Sequence, residues 1–345
     1  MMPAASKVIK NPRAKHGFRG RTCAITSVGS YVPEKTLTNA DLEKMVDTSD
    51  EWITTRTGIK QRRIAAPNEY TSDMATKAAL RAMERGGVTA EQIDLIIVAT
   101  ITPDMVFPAT ACLVQEKIGA FRAAAFDIEA ACSGFIYGLE IGQQFIMSRT
   151  HDTVLVIGAE KLSSIIDWTD RNTCVLFGDG AGAAILQSRP NSHGLLTACM
   201  GADGSKAGLL GMPGGGCRCP ATMESVNARL HYLRMEGKET FKSAVNAMFT
   251  AAQESLRRCE LDISRIKCII PHQANQRIIE AVGERLGARP EQVFVNLDKY
   301  GNTSAASVAI ALDEAVESGR VQRGDLILLI VFGAGLTWAA AVIEW

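Results

Sequence analysis

The chain has no excess of either charge, since 37 lysines and arginines stand against 37 aspartates and glutamates. Without a global field it has no basis for binding nucleic acid or an anionic membrane over a broad face, though a local basic patch remains open. It lacks any apolar run near the ~20 residues that a membrane-spanning helix needs. The first 20 residues hold no acid and no apolar core segment, so they do not read as a secretory signal. Lys7, Lys10, Arg13, Lys15 and Arg19 leave a basic transit-like leader or a plain flexible extension over residues 1–20. The cysteines number nine, an odd count, and several lie in apolar runs such as 266–270. That pattern excludes a disulfide framework and predicts reduced thiols in a cytoplasmic setting. Cys217 and Cys219 form one close pair, with no second pair to complete a zinc site, so no metal is expected.

What is present fits a globular protein of one large domain or two fused halves. The chain has 345 residues, 47% hydrophobic and 21% charged. From Arg21 onward strands and helices alternate, which predicts α/β layers. Strands are expected over 22–29, 93–100, 154–158, 266–270 and 293–297. Helices are expected over 39–47, with Thr38 as cap, and over 73–86 and 140–148. The runs at 93–100 and 154–158 are apolar throughout, as in strands buried on both faces.

The second half echoes the first in order. The glycine-rich segment 177–185 resembles 332–340, segment 93–103 resembles 266–271 with its following turn, and 126–139 resembles 294–312. Two similar halves are therefore expected, 21–190 and 191–345, with 209–219 as a surface loop between them. Paired by a pseudo-twofold, their active turns would meet at the centre.

Cys132 lies in the turn of a strand–turn–helix segment whose helix carries Phe135, Leu139, Gly142 and Phe145 at helical spacing. A cysteine at a helix start feels the positive end of the backbone dipole, which favours thiolate. A small buried core cysteine is the alternative. In the second half, His272 follows the strand at 266–270 and Asn302 follows the run 293–297. Polar groups at the ends of buried strands are where α/β folds place chemistry. Each alone could be structural, a satisfied histidine or a helix cap. Together with Cys132 they form a nucleophile and two hydrogen-bonding partners. The order Cys, His, Asn also occurs in papain-like peptidases, and the spacing of 140 residues (272 − 132) is in their range. The cysteine context Glu129-Ala130-Ala131 does not fit that class, and neither does the doubled α/β pattern.

Over about residues 21–345 the chain closely resembles β-ketoacyl-acyl-carrier-protein synthase III of the thiolase-like superfamily. The resemblance rests on Ser49–Ile59 around Trp52 and Arg56, on Ala131–Phe135 around Cys132, and on Thr169–Thr173 leading into Phe177–Gly182. It continues through Met235–Lys242, His272–Asn275, Gly301–Ser304 and Gly333–Trp338.

The resemblance implies a five-layered αβαβα fold with two pseudo-symmetric halves, assembled as a homodimer. It implies that Cys132 takes an acyl group from acyl-CoA. Malonyl-acyl-carrier protein then loses CO2 and attacks that thioester. His272 and Asn302 match the pair that assists decarboxylation, and the backbone N–H groups of Cys132 and Ala334 match the oxyanion hole. Trp52 and Arg171 match residues that sandwich the CoA adenine, while Arg56 and Asn275 match other CoA contacts. Phe107 matches a residue that lines the acyl pocket from the partner subunit, and its bulk implies a short primer such as acetyl. Lys242, Arg277 and Arg285 match the carrier-protein docking positions, but Glu284 departs from the basic residue often found there. No cofactor is implied, because acyl-CoA is a substrate. An acyltransferase of secondary metabolism using the same cysteine is the alternative function.

Overall fold

The computed structural model describes residues 22–189 and 194–345. The extension expected over residues 1–20, and the boundary expected between residues 190 and 191, lie outside the described residues.

The principal elements of the first part are β1 (Thr22–Tyr31), α1 (Thr71–Gly86), β2 (Leu95–Ala99), α2 (Thr110–Ile118), β3 (Ala124–Ile128), α3 (Gly134–Met147), β4 (Thr153–Glu160) and β5 (Gly180–Arg189). Those of the second are β6 (Gly194–Ala202), α4 (Gly237–Arg258), β7 (Cys268–Pro271), α5 (Gln276–Leu286), α6 (Ala306–Glu317), β8 (Leu326–Gly333) and β9 (Thr337–Glu344). The first sheet has the order β1-β5-β4-β2-β3 and the second β7-β8-β9-β6. Within the first, β2 runs parallel to β3 and β4, while β5 is antiparallel to β4 and β1. In the second, β7 and β8 are parallel, and β9 is antiparallel to β8 and β6. Reading β6, β9, β8, β7 against β1, β5, β4, β2 gives the same order and the same directions.

Strands β2, β4 and β8 are buried along their whole length, as their unbroken apolar runs require. Helices α3 and α6 fill the space between the sheets. There Phe135, Ile136 and Leu139 meet Val308, Leu312 and strand residues such as Val156 and Leu329 in one cluster. Helices α1 and α2 cover the outer face of the first sheet, and α4 and α5 that of the second. The five layers and the doubling agree with the fold expected from the sequence.

Three local expectations need correction. The helix expected over 39–47 is a single turn, Asn39–Leu42, with Thr38 capping it as foreseen. Leu42 is its only buried apolar side chain, beside buried Asn39, and the next residues turn toward solvent. The run 293–297 is not a strand. Val293 makes one bridge to Ile269, and Leu297 begins a one-turn helix. Gln273 takes the place of a ladder: its side-chain amide donates to Pro271 O and Phe294 O at 2.7 and 3.1 Å, and its Oε1 accepts from Asn296 N at 2.9 Å. The loop 209–219 lies within the second part after β6, not between the halves. Leu210–Gly211 pairs with Arg234–Met235, and the loop walls the cavity described below.

Close backbone contact sets the two sheets' neighbours. A Cβ at Gly158 on β4 would fall 2.2 Å from Ala305 O, so only glycine lets the start of α6 lie against the first sheet.

Candidate active site

A cavity of about 1400 Å³ opens between the two parts. Cys132, His272 and Asn302 all line it, together with Trp52, Arg56, Asn275, Arg277 and Ala334. Cys132 comes from the first part and His272 and Asn302 from the second, so packing of the two sheets brings the three together. Phe107, Arg171, Lys242 and Arg285 do not line it.

Cys132 sits in the tight turn Ala131–Ser133 that feeds α3. Ala131, just before it, takes a left-handed φ of 46°. Thr337 Oγ1 fixes this turn by donating to Ala130 O at 3.0 Å. At the end of β8, a Cβ on Gly333 would lie 2.7 Å from Cys132 N, so a bare backbone is required there. That approach sets the Ala334 turn beside the Cys132 N–H. Ala334 is outside the left-handed region, so its methyl group adds no strain, while the following Gly335 has φ 131°.

The expectation of a resting thiolate is corrected by burial. Loss of solvent pushes the Cys132 thiol up to about 12, and the charge of Glu160 adds to the rise. The Ser304 hydroxyl and the backbone act the other way without reversing it. His272 is also buried, and desolvation drives its pKa down to about 4. The resting pair is therefore a thiol and a neutral imidazole.

His272 N donates to Ile330 O at 2.7 Å, which fixes its backbone to β8. Its ring Nδ1 lies 3.0 Å from Ser307 Oγ, and that oxygen also accepts from Gln273 N at 2.9 Å. Asn302 is clamped by main chain: its N donates to Leu176 O at 2.9 Å, and its O accepts from Gly178 N at 3.0 Å. Buried Arg62 supports that neighbouring segment through Nη2 to Val175 O at 2.5 Å. Asn302 Oδ1 accepts from Ser304 N at 2.9 Å, so the Nδ2 end of the carboxamide is the donor left for the cavity.

At the mouth, Trp52 follows the Ser49 cap of the helix Asp50–Thr57. Arg171 lies 4.5 Å and Arg56 5.3 Å from its ring centre. Asn275 caps α5, accepting from Arg277 N and donating to Arg56 O at 3.1 Å. The three docking candidates are exposed on the outer helices. Lys242 is on α4. On α5, Arg277 stacks over Phe241 at 5.7 Å and Arg285 over Phe249 at 4.1 Å. Phe107 is 82% exposed.

Sequence reasoning did not single out Glu160 or Ser307. Glu160 ends β4 and reads as a solvated residue beside Lys161, yet it is fully buried, with its pKa raised to about 7 by burial. Ser307 reads as one more small residue of a helix start.

Two family models match this chain: 3-oxoacyl-[acyl-carrier-protein] synthase III over residues 126–204, and its C-terminal counterpart over residues 256–345. The chain is 60% identical over 321 residues to the β-ketoacyl-[acyl-carrier-protein] synthase III of Caldanaerobacter subterraneus subsp. tengcongensis, covering 93% of this chain and 97% of that one. The crystal structure of 3-oxoacyl-[acyl-carrier-protein] synthase III from Aquifex aeolicus superposes with a TM-score of 0.87 at 50% identity, covering 94% of this chain and 100% of that one. The corresponding enzyme of Thermus thermophilus gives 0.88 at 49%, covering 93% and 99%.

Proposed function

This chain belongs to the β-ketoacyl-[acyl-carrier-protein] synthase III family of condensing acyltransferases, and on that premise we propose how its own residues share the work. The reaction joins a short acyl group from acyl-CoA to malonyl-acyl-carrier protein, releasing CoA and CO2 and starting fatty-acid synthesis. One observation carries the assignment of roles: Cys132, His272 and Asn302 reach a single buried cavity from opposite parts of the chain.

In the first step the Cys132 sulfur attacks the thioester carbonyl of acetyl-CoA. The negative charge that develops on the carbonyl oxygen is taken up by the N–H groups of Cys132 and Ala334. The C–S bond to CoA breaks, and the thiol proton ends on the departing CoA sulfur. An acyl-Cys132 thioester remains, with no net charge in the cavity. A neutral thiol at rest suits this sequence, because thiolate forms only as the carbonyl is engaged.

In the second step malonyl-carrier protein delivers its arm to the same cavity. Its carboxylate leaves as CO2, and the bonding electrons move onto the thioester as an enolate. His272 and Asn302 stabilise the enolate oxygen as paired donors. Ser307 Oγ accepts from Gln273 N and is proposed to direct its own proton to His272 Nδ1. That bond leaves the imidazole proton on Nε2, facing the cavity. The low pKa of His272 keeps it a neutral donor and not a cation that would hold the carboxylate in place. The enolate carbon attacks the acyl-Cys132 carbonyl, the C–S bond breaks, the freed Cys132 sulfur takes up one proton from solvent to become the thiol again, and the 3-oxoacyl group leaves on the carrier. The reaction as drawn uses no cofactor or metal.

Trp52, Arg56, Arg171 and Asn275 are the proposed CoA contacts, and Lys242, Arg277 and Arg285 the carrier-docking cations. The chain is proposed to work as a homodimer in the cytoplasm, without nucleic acid or membrane. Support for the dimer comes from the outer edge of the first sheet. There, among the described residues, β3 lacks a neighbour on one side, and Val106, Phe107 and Phe121 are 89%, 82% and 76% exposed. A partner covering this edge would receive Phe107 in its acyl pocket.

The test is sequential. Labelled acetyl-CoA should place one acetyl group on Cys132, and unlabelled malonyl-carrier protein should then release CO2 and carry the label away as a 3-oxoacyl product. Transfer of acetyl without CO2 would refute condensation.

A further inference from the structure

We propose that Glu160 is a positioning residue for condensation, holding through Ser304 the turn that aims Asn302 into the cavity. This rests on the reading above, in which Asn302 serves the enolate.

Glu160 is fully buried, and among the described residues it makes no ion pair. Its carboxylate is instead surrounded by donors. Thr100 Oγ1, Ile101 N and Thr102 Oγ1 approach at 3.2, 3.1 and 2.6 Å from the segment after β2. Ser304 Oγ approaches at 3.0 Å from the other part of the chain. A carboxylate only accepts, so it satisfies all four at once. Glu160 thus ties the strand ends of the first sheet to the turn that carries Asn302.

That turn needs holding. Ser304 has φ 48°, a left-handed conformation that a serine seldom adopts and that persists only where its surroundings fix it. Its two polar groups are both engaged, Oγ on Glu160 and N on Asn302 Oδ1. The second bond orients the Asn302 carboxamide. Removing the Glu160 acceptor takes away the anchor of the Ser304 hydroxyl on the first sheet, and it frees the turn to relax toward an ordinary φ. The Asn302 donor then swings from its line, while the backbone around Cys132 is untouched. Ser304 also faces the Cys132 thiol. A rival role for Glu160, acceptor of the thiol proton through Ser304, therefore has to be separated by experiment.

The experiment uses the full chain with Glu160→Ala, Glu160→Gln, Ser304→Gly and the double variant Glu160→Ala/Ser304→Gly. Glycine at 304 tolerates the left-handed φ while removing the hydroxymethyl group that reaches Glu160. Single-turnover acetyl transfer from labelled acetyl-CoA reads acylation, and malonyl-carrier protein added to pre-acetylated enzyme reads condensation. Acylation in the Glu160 variants should stay within about 3-fold of the unaltered protein, while condensation in Glu160→Ala and Ser304→Gly falls by about 100-fold, the cost of a misaimed catalytic group. Glu160→Gln keeps an acceptor oxygen at the same reach and should regain at least about 10-fold over Glu160→Ala. The double variant should be no slower than either single variant, because both break one tie. Ser304→Gly and Glu160→Gln carry the test if Glu160→Ala does not fold. Equal losses in both steps of the Glu160 variants, as a proton acceptor predicts, would overturn the proposal. Unaltered condensation, failure of Gln to exceed Ala, or multiplying losses in the double variant would do the same. Failure of the unaltered protein to take acetyl on Cys132 would refute the reading of the site itself.

Discussion

The Arg171 guanidinium rests 4.5 Å from the centre of the Trp52 ring, so the two plates that should grip adenine are already in contact. A purine between them needs roughly 7 Å, twice the usual stacking contact of about 3.5 Å. Arg171 is held there by Asp47 O at 2.7 Å and is partly exposed, so it can be displaced. A cation over an indole is worth roughly 0.5–2 kcal/mol, and a plate over adenine is comparable. Arg171→Ala should therefore raise KM for acetyl-CoA by about 3- to 30-fold while leaving condensation of pre-acetylated enzyme unchanged. Steady-state and single-turnover rates measured side by side check this, and a loss confined to condensation would count against it.

The division of labour predicts two opposite phenotypes. Cys132→Ala should take no acetyl label. Asn302→Ala should be labelled at a near-normal rate but condense more slowly by about 10²- to 10³-fold, the range for loss of one oxyanion donor. Quantifying label on the protein before and after malonyl-carrier addition checks both. Loss of labelling in Asn302→Ala would contradict the assignment.

Chain-length choice should follow Phe107 from across the proposed dimer. Phe107→Thr should shift preference from acetyl-CoA toward longer acyl-CoA. A profile of initial rates across chain lengths reads the change, and an unchanged optimum would remove Phe107 from the pocket.

Acid should weaken the fold through His272. Its folded pKa of about 4 lies below the unfolded value of about 6.5. Between those values the unfolded chain binds the proton and the folded chain does not. Stability is therefore complete above about pH 6.5 and falls as pH drops toward 4, by on the order of 3 kcal/mol. Glu160 opposes this from about pH 7 down to its unfolded range, because its folded pKa is raised and protonation favours its folded form. Urea unfolding at pH 7 and pH 5 should show a smaller acid loss for His272→Gln than for the unaltered chain. Equal losses would place His272 in contact with water.

Much of this was legible in the chain because its signals are local. Unbroken apolar runs gave the buried strands, and small-residue turns after them marked Cys132 and Asn302. His272 was legible as a polar residue set just beyond such a run. What escaped depended on contacts far apart in sequence. Gln273 replaces a strand ladder between segments about 20 residues apart, which no periodicity records. Glu160 lies 144 positions from Ser304, and its burial follows from the packing of one sheet against a turn of the other part. The state of the Cys132 thiol was misjudged for the same reason. The helix start is written in the sequence, but the dryness of the cavity floor is set by the fold.

Gly158 gives the arrangement its sharpest consequence. Because bare main chain of one repeat lies on bare main chain of the other there, no lubricating layer of side chains lets them slide. The sulfur belongs to one repeat and the imidazole and carboxamide to its sibling, so a severed repeat owns an incomplete tool. Catalytic competence and correct docking of the duplicated units thus arrive in a single event, and a bulkier residue at that one seam would part them.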